Sequence, residues 1–225
     1  MKQNKLSCPE KLVLGITGTI ASGKSTLCRY IRERYGALHI DADLVARRVV
    51  EDMAGELSDQ FGQNILTPEG QVDRKALGAV VFNDPDKLAL LNGLVHPETC
   101  RRIREQIEVS DRPLILVEAI ELLRSDLKNM IHKVMVVYAE PALRSRRMME
   151  TRGLTEEEAE SRIRSQLDDQ TYRDQADYVI HSTDAPFEVM QTVCDEILSG
   201  LIPESPMRDT VMPIEDARQD DREEI

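Results

Sequence analysis

The 225-residue chain is long enough for one sizeable α/β domain, or for one domain with an insertion. Its formal net charge of −12 argues against nucleic acid and anionic membranes as partners, because both would repel it at long range. Its four cysteines are scattered without C-x-x-C spacing, which excludes an obvious zinc or redox motif. No apolar run reaches the roughly 20 residues that span a bilayer, and the N-terminus is polar, so we expect a cytoplasmic protein.

The first predicted element is a strand over residues 11–17, with the sequence KLVLGIT. This short, branched apolar run is typical of a strand buried in a parallel sheet. A glycine-rich turn follows, and helical periodicity then extends over Lys24–Tyr35. Residues 18–25 of the turn match the pattern G-x-x-x-x-G-K-[ST] at every fixed position, which identifies a phosphate-binding loop, or P-loop.

Each fixed residue of this loop has a physical role. Gly18 and Gly23 allow backbone torsions and close approaches that a Cβ would block. The loop N–H groups and the positive end of the helix then face phosphate oxygens, the Lys24 ammonium reaches the β- and γ-phosphates, and the Ser25 hydroxyl ligates Mg²⁺. The sequence therefore predicts a site for a nucleoside triphosphate with Mg²⁺. The predicted nucleotide-binding residues are Gly18, Thr19, Ile20, Ala21, Ser22, Gly23, Lys24, Ser25 and Thr26.

A second strand is predicted over residues 37–40, and two carboxylates, Asp41 and Asp43, follow it. In an extended segment residues i and i+2 point the same way, so both side chains are expected to face the γ-phosphate. We assign Asp43 to the acceptor hydroxyl, as base, and Asp41 to the water molecules around the magnesium ion. Two alternatives stay open: the reverse order, and a role for Asp43 as the cap of a helix that starts near Leu44.

Strand signals fade between residue 44 and about residue 109, where the chain is mostly helical. This segment is too long for a simple connection, so it predicts a helical insertion that holds a second substrate. The predicted breaks between its helices lie at Gly55, at residues 67–70, at residues 83–85 and at residues 96–97.

Three more strands are predicted over residues 113–117, 133–138 and 178–180, the first of them reaching Glu118. A charged helical region over about 141–167 is interrupted at residues 152–153, and a closing helix covers 186–198. Strands that alternate with helices predict an α/β fold in which a doubly wound, five-stranded parallel sheet is covered on both faces. Residues 201–225 combine prolines with eight acidic residues and three arginines, and we expect a disordered acidic tail.

With these motifs in place, the chain resembles the dephospho-coenzyme A kinase family of P-loop kinases. The Asp-Ala-Asp pair, together with a distant His-Pro, is more specific to that family than the P-loop. The resemblance covers most of residues 11–190. The residues that carry it are 15–18, 22–26, 40–43, Ala46, Arg47, Phe61, Gly62, Gly70, Asp73, Arg74, Leu77, Val81, Phe82, His96, Pro97, Arg147, 155–166 and 176–180.

The resemblance implies phosphorylation of the ribose 3′-hydroxyl of dephospho-coenzyme A by ATP, with Mg²⁺ as cofactor. This reaction is the last step of coenzyme A biosynthesis. The resemblance also implies a nucleotide-binding core over residues 11–43 and 112–200, a lid at about residues 144–167, and a helical substrate domain over residues 44–111.

Four arginines, Arg144, Arg146, Arg147 and Arg152, lie around the turn of this lid. We predict that Arg147 and Arg152 act with Lys24 and Asp43 in catalysis, because a cation from a lid neutralises charge on the transferring phosphoryl group. The alternative is a solvated helix face that is stabilised by pairs of opposite charge.

Three further residues are predicted to bind the acceptor substrate together with Asp43: Arg47, Arg74 and His96. Simple surface charge is the alternative for the arginines, and a structural role is the alternative for His96. Glu118 occupies the end of the third strand, where a carboxylate assists magnesium or has a structural hydrogen-bonding role.

The chain departs from the common family pattern at Thr19, at Arg152, which is displaced by one residue, and at Ser182, where many members have asparagine. Two other functions stay open, and these departures motivate only the second. One is a kinase for another small molecule, a nucleoside or nucleotide. The other is an ATP-sensing binding protein without acceptor-stimulated turnover.

Overall fold

The sheet contains five parallel strands in the order β2-β3-β1-β4-β5. We describe a computed structural model, which covers residues 11–166 and 168–202. The predicted fold class is confirmed, and each observed strand lies within one residue of its predicted bounds. The strands are β1 (Leu12–Gly18), β2 (Leu38–Asp41), β3 (Leu114–Glu118), β4 (Lys133–Tyr138) and β5 (Tyr178–His181).

Local sequence signals explain where several helices begin and end. The first helix, α1, lies between Gly23 and Gly36, both in the left-handed conformation, and α7 begins with a capping box formed by Thr155 and Glu158. The helices are α1 (Lys24–Tyr35), α2 (Ala42–Asp52), α3 (Ala54–Phe61), α4 (Arg74–Val81), α5 (Pro85–Val109), α6 (Pro141–Arg152), α7 (Glu156–Arg164), α8 (Asp169–Asp174) and α9 (Phe187–Leu201).

Two predicted helix breaks are wrong. His96 and Pro97 lie inside α5, a continuous helix of 25 residues. Pro97 is on the exposed face, while Val95 and Thr99 beside it are buried, so packing of the other face holds the helix together across the proline. Gly55 lies inside α3, and the break between α2 and α3 falls at Met53.

The first two residues of the predicted acidic tail are ordered, because Leu201 still belongs to α9 and packs with Ile202 against the core. Residues 203–225 of that prediction lie outside the described residues. None of the helices in residues 11–166 and 168–202 combines the length and the apolar character needed to cross a bilayer.

Helices cover both faces of the sheet. Side chains of α1 and α9 pack on one face, and side chains of α2 and α5 pack on the other. A third apolar cluster lies within the helical insertion and shares no buried residue with the other two. Its buried residues are Leu57, Phe61, Ile65, Val72, Leu77 and Val81.

We expect that Leu57→Ala destabilises the protein by about 2–5 kcal/mol, because its fully buried side chain would leave a cavity in this cluster. The free energy of unfolding, measured by urea denaturation, tests this. Leu90→Ala on α5 is the matched control, since that side chain is 41% exposed and its loss should change stability little. Equal effects of the two substitutions would contradict a packed core in the insertion.

Candidate active site

The P-loop is shaped by a close contact between β1 and β4. Gly18 has φ 138°, and a Cβ at this position would lie 2.1 Å from the carbonyl oxygen of Val137. Gly23 has φ 98°, and Ala21 has φ 58°, the only positive value at a non-glycine residue in the described ranges. These torsions turn the loop over the carboxyl end of the sheet, the edge where open α/β sheets bind ligands.

Several polar groups of the loop are left free to meet a ligand. Gly23 caps α1 without a side-chain hydrogen bond, so first-turn N–H groups of α1 have no cap from a side chain. Within residues 11–166 and 168–202, the buried hydroxyls of Thr19 and Ser22 find no hydrogen-bond partner. Unpaired buried polar groups cost free energy, so this loop fits a bound phosphate chain that would complement them.

The Lys24 side chain contacts the backbone of the P-loop. Its ammonium nitrogen Nζ donates hydrogen bonds to the carbonyl oxygens of Gly18, at 3.0 Å, and Thr19, at 2.9 Å. Burial lowers the pKa of this amine, and the nearby carboxylates of Glu118 and Asp43 oppose that shift. The lysine is therefore a partly dehydrated cation that can exchange two carbonyl partners for phosphate oxygens.

Glu118, at the end of β3, accepts hydrogen bonds from two sides. Ser25 Oγ donates to its Oε1 at 2.8 Å, and His39 Nε2 lies 3.0 Å from its Oε2. Burial alone would raise the pKa of this carboxyl, but the contacts with His39 and Ser25 hold it below its usual range. An ionised carboxylate beside a serine hydroxyl is a set of oxygen donors that suits Mg²⁺.

The two aspartates do not share an extended segment, so the geometric premise of that prediction is wrong. Asp41 ends β2 and caps α2, and its Oδ1 accepts hydrogen bonds from the backbone N–H groups of Asp43, at 2.9 Å, and Leu44, at 3.1 Å. Asp43 lies within the first turn of α2. The cap that was considered for Asp43 is therefore provided by Asp41.

Asp43 is nevertheless close to the P-loop lysine. Burial and the charge of Asp41 raise the pKa of Asp43, while the cations of Lys24 and Arg47 oppose the shift. Two of the predicted acceptor-binding residues, Asp43 and Arg47, therefore lie in one electrostatic environment with Lys24. A carboxylate with a raised pKa beside a phosphate-binding cation is suited to accept a proton from a hydroxyl.

The other two predicted acceptor residues lie elsewhere on the insertion. Arg74 begins α4 and His96 lies in the middle of α5. Both are exposed, and neither side chain makes a hydrogen bond or salt bridge with another described residue. The contacts of the structure do not connect either residue to the P-loop.

The arginines of the predicted lid have different surroundings. Arg147 Nη1 donates to Ser182 Oγ at 2.9 Å and to the carbonyl oxygen of Ala21 in the P-loop at 3.3 Å. Arg152 is exposed and makes no hydrogen bond or salt bridge with another described residue, but its positive charge contributes to the lowered pKa of Lys24.

The remaining pair of lid arginines is held by ion pairs. Arg144 is 1% exposed, and its Nη2 donates to both carboxylate oxygens of Asp169 at 2.9 Å. Arg146 pairs with Asp184. These contacts give Arg144 a structural role and place Arg146 at an exposed surface pair.

Gln166 is a contact residue that sequence reasoning did not single out. Its Oε1 accepts a hydrogen bond from the backbone N–H of Ile20 in the P-loop at 2.8 Å. The only sequence signal was its place at the end of the residue 155–166 stretch that carries the family resemblance. Gln166 and Arg147 thus connect the region after β4 to two consecutive residues of the P-loop.

Comparisons with known proteins agree with this site. The family model described as dephospho-CoA kinase matches residues 12–186. The dephospho-CoA kinase of Leifsonia xyli subsp. xyli is 39% identical over 196 residues, which cover 84% of this chain and 98% of that protein. Some relatives are longer, and the match covers 46% of the dephospho-CoA kinase of Mycobacterium tuberculosis.

Solved structures give the same result. A Thermus thermophilus protein superposes with a TM-score of 0.77 at 32% identity, over 86% of this chain and 100% of that one. A dephospho-CoA kinase from Campylobacter jejuni gives a TM-score of 0.61 at 29% identity, over 86% of this chain and 98% of that one. With a P-loop, an ionised carboxylate at its serine and these matches along most of its length, the chain belongs to the dephospho-CoA kinase family.

Proposed function

We propose that this protein transfers the γ-phosphoryl group of ATP to the ribose 3′-hydroxyl of dephospho-coenzyme A and so forms coenzyme A. The observation that carries the proposal is the P-loop, where, among the described residues, the hydroxyls of Thr19 and Ser22 have no hydrogen-bond partner and Lys24 contacts only the loop carbonyl oxygens. Asp43, in the first turn of α2, is the carboxylate whose pKa is raised and whose charge acts on Lys24. The two side chains supply the two requirements of phosphoryl transfer to an alcohol, a cation for the phosphate and an acceptor for the hydroxyl proton.

Asp43 is the proposed base. It would accept the hydrogen bond of the 3′-hydroxyl, orient its oxygen toward the γ-phosphorus and take up its proton as the new bond forms. Lys24 would leave the carbonyl oxygens of Gly18 and Thr19 for the β- and γ-phosphates, where its charge stabilises the transferring group.

Magnesium is the proposed cofactor, and Ser25 with the carboxylates of Asp41 and Glu118 would hold it and its water molecules. When bound, the ion neutralises charge on the β- and γ-phosphate oxygens. Glu118 keeps the Ser25 hydroxyl oriented. The Oδ1 atom of Asp41 already accepts two hydrogen bonds in the cap, so Oδ2 is the oxygen proposed for this role.

The proposed division of the chain follows from these roles. Residues 11–43 and 112–200 form the nucleotide-binding core, with a lid at about residues 144–167. Residues 44–111 form the domain for the acceptor, and their separate apolar cluster supports this.

We place the enzyme in the cytoplasm, in keeping with the free thiols of Cys28, Cys100 and Cys194.

The proposal predicts that ADP release by the purified protein depends on dephospho-coenzyme A. A coupled ADP assay with a panel of acceptors measures this. Turnover with nucleosides or nucleotides alone would identify a different small-molecule kinase. Tight ATP binding without turnover on any acceptor would identify an ATP-sensing protein instead.

Asp43→Asn should lower kcat by about 10²–10⁴-fold, the usual contribution of a general base, and leave the affinity for ATP unchanged. Steady-state kinetics and an ATP titration of the same variant test both statements. Glu51→Gln, on the exposed side of α2, is the matched control and should retain full activity. Full activity in Asp43→Asn would remove Asp43 from the proposed mechanism.

The pH profile should report the raised pKa of Asp43. The base must be ionised, so kcat/KM falls as the pH drops through this pKa, and the acidic limb should lie above the ordinary range of aspartate. Asp41→Asn removes the charge that helps raise the pKa but keeps a side chain that can cap α2. It should therefore move the limb to lower pH.

Asp73→Asn is the control for this profile, because Asp73 caps α4 in the same way as Asp41 caps α2. Its acidic limb should coincide with that of the wild-type enzyme. A limb that stays in place or rises in Asp41→Asn would show that another group titrates.

Arg147 and Arg152 should affect different kinetic constants. Arg152→Gln should lower kcat by about 10³-fold or more, the range found for an arginine that stabilises the transferring phosphoryl group. Arg147→Gln should chiefly raise the KM for ATP, because Arg147 links Ala21 in the P-loop to Ser182, which follows β5. Arg146→Gln, which breaks an exposed ion pair, should change neither constant. The opposite assignment would follow if Arg147→Gln lost kcat while Arg152→Gln kept it.

A further inference from the structure

A groove runs along the open edge of the sheet, beside β2. Its cavity has a volume of about 460 Å³, within the range of small-molecule sites. Ser25 and Asp41 line it, so the groove meets the phosphate site. Its walls come from one face of α1, from β2, from α2 and from Gln106 of α5.

Three arginines line this groove. Arg29 and Arg32 are three residues apart on α1 and therefore share a face, and Arg48 lies on α2. Neither Arg29 nor Arg48 makes a salt bridge with a residue in the described ranges, and the one contact of Arg32 is with Glu33 at 3.8 Å. None of the three side chains donates a hydrogen bond to another described residue.

The surroundings of these arginines make an anion their natural partner. Asp41 is the only acidic residue of the lining, and its Oδ1 is already occupied by two backbone N–H groups. Arg32 lies 3.8 Å from Glu33, but Arg29 and Arg48 have no salt-bridge partner among the described residues. Because the chain carries a net charge of −12, three arginines at one cavity are more positive charge than its average surface would hold. Arginine presents a planar donor fork that matches phosphate oxygens.

Charged residues also protect exposed strand edges from pairing with other chains, and β2 is an edge strand. Edge protection alone does not require the charges to come from two helices and line one cavity. Nor does it require that cavity to be continuous with Ser25. These two features favour a binding site for an anionic group.

We propose that Arg29, Arg32 and Arg48 bind the diphosphate group of the acceptor substrate. The inference rests on the proposed function, since dephospho-coenzyme A carries a diphosphate on the 5′ side of the ribose that is phosphorylated. Only C4′, C5′ and O5′ separate this group from the 3′-carbon. Arg29 lies about one helical turn beyond Ser25 and Arg32 about two turns, roughly 6 and 10 Å along the axis of α1. The arginines are thus within reach of a diphosphate whose ribose lies at the phosphate site.

The test compares the affinities of the wild-type enzyme and of the triple variant Arg29→Gln, Arg32→Gln, Arg48→Gln. Calorimetric titrations of dephospho-coenzyme A are made with the ATP site saturated by a non-hydrolysable ATP analogue. We expect its Kd to rise about ten-fold or more, because hydrogen bonds to charged groups are stronger than neutral ones. The KM for ATP should not change. Arg34→Gln is the matched control, since Arg34 is on α1 but does not line the groove.

A truncated ligand identifies the group that is bound. Adenosine has the ribose and the base but no diphosphate, so the triple variant should bind it as well as the wild-type enzyme does. If adenosine is weakened as much as dephospho-coenzyme A, the arginines act on the fold or on the ribose, and the proposal is overturned. An equal loss of ATP affinity would also overturn it, by assigning the groove to the nucleotide.

The outcomes separate this proposal from the proposed function. A wild-type enzyme that binds dephospho-coenzyme A through the arginines without phosphorylating it contradicts the function alone. A triple variant that binds and phosphorylates dephospho-coenzyme A as well as the wild-type enzyme contradicts the groove alone. A wild-type enzyme that does not bind dephospho-coenzyme A contradicts both.

Discussion

The hydrogen bond from Ser25 Oγ to Glu118 joins the start of α1 to the end of β3, and the rest of the site is arranged around it. It forms because three parallel strands, β2, β3 and β1, end at the same edge of the sheet. Asp41 is the register partner of Glu118, so β2 brings a second carboxylate to this edge. Gly18 contributes the close approach to β4 that lets the loop turn over the edge.

Burial gives the charged groups of this site their chemical character. The same desolvation lowers the pKa of Lys24 and raises the pKa of Asp43, while the attraction between their opposite charges works against both shifts. Lys24 is buried, whereas Asp43 is exposed and only partly desolvated, so the raised pKa of Asp43 also depends on the neighbouring charge of Asp41. Glu118 differs because its contacts with His39 and Ser25 outweigh burial and keep it ionised.

Two hydrogen bonds connect the predicted lid region after β4 to the P-loop backbone. Arg147 donates a hydrogen bond to the carbonyl oxygen of Ala21, and Gln166 accepts one from the N–H group of the preceding residue, Ile20. A movement of α6 and α7 would therefore act directly on the P-loop backbone. The groove lined by Arg29, Arg32 and Arg48 also includes Ser25 of the P-loop. The proposed sites for the two substrates therefore share the first turns of α1.

The sequence by itself determined the sheet, the P-loop and the family, because each of these depends on short-range patterns: apolar runs, two glycines at fixed spacing, and motifs in order along the chain. It also determined which carboxylates follow the strands, but not their geometry. The Asp41 cap depends on α2 starting at Ala42, two residues before Leu44, where the helix would begin if residues 41–43 were extended. The helix break predicted at Pro97 is wrong because the packing of the opposite face of α5 cannot be predicted from the local sequence. The contact of Gln166 with Ile20, and the meeting of Arg29, Arg32 and Arg48 at one cavity, were decided only by the tertiary structure, since they join side chains from separate elements that no local pattern relates.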